Sequence, residues 1–313
     1  MLNIEKILVA KDSSPCAETA LRHAANLARK TGAELHILYV QVMYEEHFEA
    51  PVLPVEPKSQ LLERLQSHTQ EFWSADGDDD LKPVVYAVER EVAAAPAIAR
   101  YAAEHDIGII FMGTHGRRGL RHLLMGSVAE EVVRTAPCQV VTVGQCNDEE
   151  KEIRSILAPV DFSTHAGNAL EVAVQMAKHY GAHLDMLHVV EETLHPAFYN
   201  SGVFSIYDIE PDIEGRSLEH LKQLFKQLKA EDIDVGFHVQ SGRAASEITH
   251  FAREKGHDLI VMATHGLTGL AHLFIGSVTE KVVRSAPCSV LTVKSFSETQ
   301  NAANDRRIEE EVL

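Results

Sequence analysis

The sequence predicts an α/β protein of two repeated doubly wound domains, each a five-stranded parallel sheet with helices on both faces. Three observations predict it. First, residues 111–143 return almost verbatim as 261–293, so that Thr114-His115-Gly116 and Pro137-Cys138 recur 150 positions later as Thr264-His265-Gly266 and Pro287-Cys288. Second, short continuous apolar runs such as Ile7-Leu8-Val9-Ala10 suit strands covered on both faces, and amphipathic stretches alternate with them. Third, 313 residues give room for about two domains, each with its own core. A repeat this long is a duplicated domain, whereas solenoid repeats span roughly 20–50 residues. The expected boundaries are 1–145 for the first domain, 151–295 for the second and 296–313 for a polar tail.

In chain order, strand 7–10 leads to Asp12 at its carboxyl end. Ser13 or Ser14 with Pro15 starts a helix in which Ala17, Ala20, Leu21, Ala24, Leu27 and Ala28 fall at three- and four-residue spacing, and Gly32 stops it. A strand over 35–42 follows, then a loop containing Pro51, Pro54 and Pro57, and a helix over 59–72. The acidic run at 76–80 reads as a solvated turn. Strand 83–88, helix 93–105 and strand 107–112 precede a loop over 113–126, a helix over 127–134 and a last strand over 138–143. Strands alternating with helices imply right-handed crossovers and a parallel sheet. Ligands of such sheets bind outside the carboxyl ends of the strands, where Asp12, the residues after Val40 and the loop after Met112 lie.

An acidic linker, 144–152, introduces the second copy. Strand 156–160 precedes Asp161, and Ala166, Ala169, Leu170, Ala173 and Ala177 repeat the helical stripe up to Gly181. Strand 184–190 leads to a variable segment, 191–215, carrying Phe198, Tyr199, Phe204 and Tyr207. A helix over 218–228, strand 235–239, helix 244–255, strand 259–262 and a final strand over 288–293 complete the plan.

Composition narrows the function classes. The chain carries 46 acidic against 29 basic residues, a net charge of -17, which argues against nucleic acid or anionic lipid as a partner. No apolar run approaches the roughly 18–20 residues of a membrane span and no signal-peptide pattern opens the chain, so a cytoplasmic protein is expected. Cys16, Cys138, Cys146 and Cys288 lack both the density of a disulfide scaffold and CxxC spacing, and free thiols are expected.

The chemistry rests on the spacing Gly113-x2-Gly116-x9-Gly126-Ser127. Glycines let main-chain N–H groups approach an anion, and a helix starting at Ser127 adds a positive dipole end, so this loop suits phosphate. A plainer account makes Ser127-Val-Ala-Glu130 and Ser277-Val-Thr-Glu280 capping boxes, which explains the serines and glutamates but not the glycines. Neither a Walker A sequence nor GxGxxG occurs.

With those motifs in view, the chain resembles a tandem universal stress protein, two such domains fused. The resemblance implies a Rossmann-like, adenine nucleotide alpha hydrolase-like fold and an ATP site, with or without Mg. The family's G-x2-G-x9-G-[ST] motif is matched by Gly113, Gly116, Gly126 and Ser127; in the second copy Ala263 replaces the first glycine, while Gly266, Gly276 and Ser277 remain. The resemblance assigns Asp12 and Asp161 to the ribose and the backbone of Val40 and Val189 to adenine. It adds Ala10, Met112, His115, Arg117 and Val128 to the first site, and Pro159, Met262, His265 and Val278 to the second. The methyl of Ala263 is expected to leave the second site binding weakly, binding with a shifted backbone, or empty. Lys11, which has Val160 as its counterpart, is placed either to reach a phosphate or to stay solvated. The resemblance also implies that the last strands pair with each other, making an intramolecular pseudo-dimer, with a further homodimer open.

Arg117, Arg118 and Arg121 form a basic cluster whose counterparts, Leu267, Thr268 and Ala271, are uncharged, so the two loops differ electrostatically. His115 and His265, with His122 and His272, sit in the loops, yet no HxH, HExxH or zinc-type Cys/His spacing is present and no metal site is expected. His188 and His195 read as ordinary residues. No base with an assigned partner is recognisable, which favours a nucleotide-dependent stress-response or signalling module, read by a downstream protein, over catalysis. The alternatives are a slow Mg-dependent ATPase using Asp12 or His115, and a scaffold for another small molecule with segment 191–215 as its lid.

Overall fold

The computed structural model describes residues 4–43, 56–76 (71–76 as backbone), 84–114, 125–144, 152–191, 205–264 and 275–294. In the first half these form β1 (Lys6–Ala10), α1 (Pro15–Thr31), β2 (Glu34–Val42), α2 (Lys58–Asp76), β3 (Val85–Glu91), α3 (Ala94–Glu104), β4 (Ile109–Gly113), α4 (Ser127–Thr135) and β5 (Gln139–Val143). The second half repeats the order with β6 (Ser155–Pro159), α5 (Thr164–Tyr180), β7 (His183–Val190), α6 (Ile206–Ile209), α7 (Ile213–Gln227), β8 (Val235–Ser241), α8 (Ala244–Lys255), β9 (Leu259–Ala263), α9 (Ser277–Ser285) and β10 (Ser289–Val293).

The strands join into one sheet in the order β3-β2-β1-β4-β5-β10-β9-β6-β7-β8. Every neighbouring pair is parallel except β5 and β10, which run antiparallel with Val141 opposite Leu291. The strand order reverses between β1 and β4 and again between β6 and β9, so each half has a crevice at the carboxyl ends of those strands.

Helix limits follow from caps. Ser14 accepts a hydrogen bond from the Ala17 amide at 3.3 Å, Pro15 fills the first turn, and Gly32 ends α1 at φ 70°. Ser163 and Gly181 do the same for α5. Alternate strand residues face opposite cores, and each core runs through both halves. Ile7, Ile37, Phe111, Ile156 and Leu291 pack under α1, α2, α5 and α7, whereas Leu8, Leu38, Ile110, Leu157 and Val290 pack under α3, α4, α8 and α9.

The seam is hydrogen-bonded reciprocally, since the Thr142 hydroxyl donates to the Val290 carbonyl at 3.2 Å and Thr292 to Val140 at 3.1 Å. Lys294 adds a one-sided clasp, its ammonium donating to the carbonyls of Arg134 and Ala136 at the end of α4. Burial pushes the Lys294 amine down to about 8. Among the described residues no helix is long and apolar enough to cross a membrane.

The structure departs from the expected elements at particular places. Strand β3 runs on to Glu91, and α7 starts at Ile213, earlier than expected, after the additional short helix α6. Cys16 is disulfide-bonded, against the expectation of free thiols throughout, because a disulfide depends on approach in three dimensions that spacing does not report. Cys138 and Cys288 are free, and burial pushes both thiols up to about 12. The turn after Asp76, the linker at 145–151, residues 192–204 and the tail lie outside the described residues.

Candidate functional site

In the first half, Ala10 ends β1 beside Met112 of β4, and the Lys11 amide donates to the Leu38 carbonyl of β2. This places Asp12 at the reversal of strand order. One of its carboxylate oxygens accepts from the Ser14 amide at 2.9 Å and hydroxyl at 2.5 Å, so the carboxylate is held by the same turn that starts α1. Val40 lies in β2 opposite Glu89. Gly113 ends β4, and the Thr114 amide continues the ladder by donating to the Val143 carbonyl.

His115, Gly116, Arg117, Arg118, Arg121 and His122 lie outside the described residues, as do His265, Gly266 and His272. The base of each loop is nevertheless defined. The Gly126 amide donates to the Thr114 carbonyl at 2.7 Å, and Gly276 to Thr264 at 2.7 Å, so both loops are closed by the same bond. Helix α4 then starts immediately above the end of β4.

That start overturns the capping-box reading. Gly126 is the N-cap of α4 and Ser127 the first helical residue, with no side-chain bond capping the turn, and Gly276 and Ser277 repeat the arrangement in α9. The Glu130 amide takes the Gly126 carbonyl at 3.0 Å. The pattern Ser-x-x-Glu is out of register by one residue with a true box, so the amides opening each helix have no side chain of their own to satisfy them. Such a helix end is a ready anion site.

Packing gives two of the glycines a further reason. A Cβ on Gly113 would lie 2.8 Å from the Cys16 Cβ and 3.2 Å from the Ala17 nitrogen, so the close approach of α1 to β4 requires glycine there. A Cβ on Gly126 would lie 2.8 Å from the Thr114 carbonyl oxygen, in the path of the bond that closes the loop. In the second half, Ala263 packs against the hydrophobic core at the end of β9, and its carbonyl accepts from the Thr279 hydroxyl at 2.8 Å. The Ala263 methyl stands at the base of a loop whose residues 265–274 lie outside the described residues. Pro159 ends β6 opposite Leu187, Asp161 accepts from the Ser163 amide at 3.0 Å, and Val189 faces Gln240. Met262 pairs with Thr292, and Ser277 and Val278 open α9.

Lys11 does not stay solvated. It is 6% exposed and ion-paired with Glu18 at 2.5 Å. Val128 stands 37% exposed on the first turn of α4.

Two buried polar clusters at the amino ends of the strands went unread in the sequence. In the first half, His36 of β2 bonds the Tyr101 hydroxyl at 2.9 Å and Glu34 at 2.6 Å. Burial lowers the pKa of His36 and outweighs the pull of Glu34. In the second half the corresponding residue is Asp185, whose carboxylate takes His257 at 3.0 Å, His238 at 2.7 Å and His183 at 3.2 Å. Burial pushes the Asp185 pKa up, but those hydrogen bonds outweigh it and hold the carboxyl well below its usual range. His183 also meets Asp234 at 2.8 Å; burial lowers its pKa, and the two carboxylates more than reverse that. Alternation of His183 and Asp185 along β7 was the available signal, though the partners at 238 and 257 are remote in sequence. Among the described residues no group of three or more His, Cys, Asp or Glu is arranged to hold a metal ion.

Comparison with known proteins gives this geometry its context. The model of the Universal stress protein family matches residues 3–144 and again 152–294. A universal stress protein of Methanocaldococcus jannaschii is 32% identical over 145 residues, covering 46% of this chain and 84% of that protein. One of Bacillus subtilis is 30% identical over 144 residues, covering 44% and 97%. The crystal structure of a universal stress protein from Archaeoglobus fulgidus aligns over 95% of this chain and 98% of its own, with a TM-score of 0.63 at 20% identity, a likeness of fold. With the family matched once in each half of a continuous sheet, the chain belongs to the universal stress protein family.

Proposed function

We propose that the chain is an adenine-nucleotide-binding stress-response module of the cytoplasm, built of units 1–145 and 151–295, whose first half holds ATP, alone or with Mg. The observation that carries this reading is the uncapped start of α4, fixed over the end of β4 by the bond from the Gly126 amide to the Thr114 carbonyl. Phosphates lie against the amides of Ser127 and Val128 and the loop of Gly116, with His115 and Arg117 beside them. Asp12, held by Ser14, takes the ribose, the backbone of Val40 takes adenine, and Ala10, Met112 and Gly113 form the floor. Nucleotide occupancy stabilises one conformation, which a partner protein reads.

Replacing Ser127 with proline tests this cleanly. Proline suits the first helical position, and Gly126 already has the extended backbone, φ -63° and ψ 142°, that a residue before proline prefers. The change removes one amide donor and one hydroxyl while sparing the helix. Loss of a hydrogen bond to a charged group costs about 1.5–3 kcal/mol, so ATP affinity measured by calorimetry should fall at least about 10-fold with an unchanged melting temperature. Unchanged affinity sinks the placement.

A further inference from the structure

The sheet has two outer edges, β3 in the first half and β8 in the second, and they are built differently. Strand register matches residues 85–91 to 236–242, because Val85 lies opposite His36 and Gly236 opposite Asp185. Strand β3 ends in Glu89, Arg90 and Glu91. Glu89 faces Lys58 at 3.8 Å, Arg90 donates to Gln41 at 2.8 Å, and Glu91 is ion-paired with Arg100 at 2.5 Å. The matching positions are Gln240, Ser241 and Gly242, and β8 carries no carboxylate, lysine or arginine. Charged side chains guard an edge against pairing, and the second half lacks them.

The main chain of β8 is set for a further strand. The Leu184 amide donates to the Asp234 carbonyl and the Gly242 amide to the Val190 carbonyl, so the even-numbered residues of β8 bond to β7. The N–H and C=O groups of Val235, Phe237, Val239 and Ser241 therefore point outward, and among the described residues they meet no partner. Val235, Phe237 and Val239 pack against the core without being buried, and Phe237 is held edge-on by Phe225, with ring centroids 5.8 Å apart. A row of half-buried apolar side chains along bare hydrogen-bonding groups is completed by another strand.

The sequence of β8 complements itself when reversed about His238. Antiparallel pairing of two copies sets Phe237 against the partner's Val239, Val235 against the partner's Ser241 and Gly236 against the partner's Gln240, and no carboxylate or guanidinium is opposed to its like. The chain already joins its own halves by an antiparallel seam, β5 to β10.

We propose that β8 is a docking edge for a second copy of this chain, whose β8 pairs with it antiparallel about a two-fold axis at His238. The contact is isologous and closes on itself, and the charged β3 edges left at the two ends stop further growth. This interface goes beyond nucleotide binding and does not rest on it.

The test uses the full chain in analytical ultracentrifugation across the micromolar range. A species of twice the 34.6 kDa chain mass should form. Val239→Pro removes one outward amide from each copy and spares the β7–β8 ladder, because proline is tolerated where the N–H of an edge strand faces away from its sheet. It should raise the dimer dissociation constant at least about 10-fold. His238→Cys reads the register separately. At the axis the two residues form a non-hydrogen-bonded pair with Cα atoms about 4.5 Å apart, within disulfide reach, so mild oxidation should cross-link this variant, whereas Gln240→Cys, opposite the partner's Gly236, should stay uncross-linked. A chain that remains monomeric throughout, or one whose self-association is indifferent to Val239→Pro and whose thiols at 238 and 240 cross-link equally, overturns the proposal.

Discussion

At the third residue of its second strand the first half carries His36, and the second half carries Asp185. Around His36 the partners are a hydroxyl and a carboxylate, whereas around Asp185 they are three imidazoles. The loop-closing bonds of the two halves, from Gly126 and from Gly276, are both 2.7 Å, and the same cap residues open α1 and α5. Duplication has therefore preserved main-chain geometry while the polar contents of equivalent positions diverged, here from an imidazole to a carboxylate. At the carboxyl ends, Gly113 and Ala263 occupy one backbone position, where α1 leaves the first no room for a Cβ and the second carries one packed against the core.

The largest test of this contrast is Asp185→Leu set against His36→Leu. The first leaves the buried His257 N–H with no acceptor and should cost about 3 kcal/mol, while the second leaves the buried Tyr101 hydroxyl without its imidazole and removes a bond to the exposed Glu34 carboxylate, and should cost about 1.5 kcal/mol. Equal losses in chemical denaturation would show that the clusters are energetically equivalent despite their chemistry. Next comes Gly236→Ala, whose Cβ would lie 2.1 Å from an Asp185 oxygen and 2.8 Å from His238, and should cost about 2 kcal/mol. By strand register its first-half counterpart, the residue opposite His36, is Val85, so that position already carries a branched side chain.

Gly113→Ala should cost about 1.5 kcal/mol by pushing α1 away from β4, whereas Ala263→Gly should change stability by under about 1 kcal/mol and add no ATP binding. A gain of ATP binding in Ala263→Gly would show the methyl to be an obstacle.

The smallest expected effect is on pH dependence, and it has opposite sign in the two clusters. His183 has its folded pKa raised, so its contribution is full below about 6.5 and is lost as pH rises through the folded value. His36 has its folded pKa lowered, so its contribution is present above about 6.5 and is lost as pH falls through the folded value. His183→Asn should flatten the alkaline side of the stability profile and His36→Asn the acid side, the former by under about 1 kcal/mol because the His183 ring retains contact with water. Matching slopes in both variants would contradict the sign reversal.

Much of this molecule was legible from local rules. Ser14-Pro15 and Gly32 delimit α1 as their chemistry requires, and the apolar runs at 7–10 and 156–160 became central strands. Less legible was β3, because Glu89, Arg90 and Glu91 look unlike strand residues until they are seen on a sheet edge, where charge is tolerated. Helix α7 begins at Ile213, in a stretch with no helical period to announce it. The helix start at Ser127 was located correctly while its cap was not, since Ser-x-x-Glu fits two registers and only the backbone of Gly126 decides between them. Asp185 and its histidines stayed hidden because four short-range-neutral positions, 183, 185, 238 and 257, meet only after β7, β8 and β9 assemble.

The antiparallel seam sets a timetable for synthesis. Strand β5 leaves the ribosome with one edge bare, and its partner β10 emerges about 150 residues later, which at roughly 5–20 residues per second is an interval of about 8–30 s. Throughout that interval the nascent first half displays Val141 and Thr142 on an open edge to any neighbouring chain on the same message.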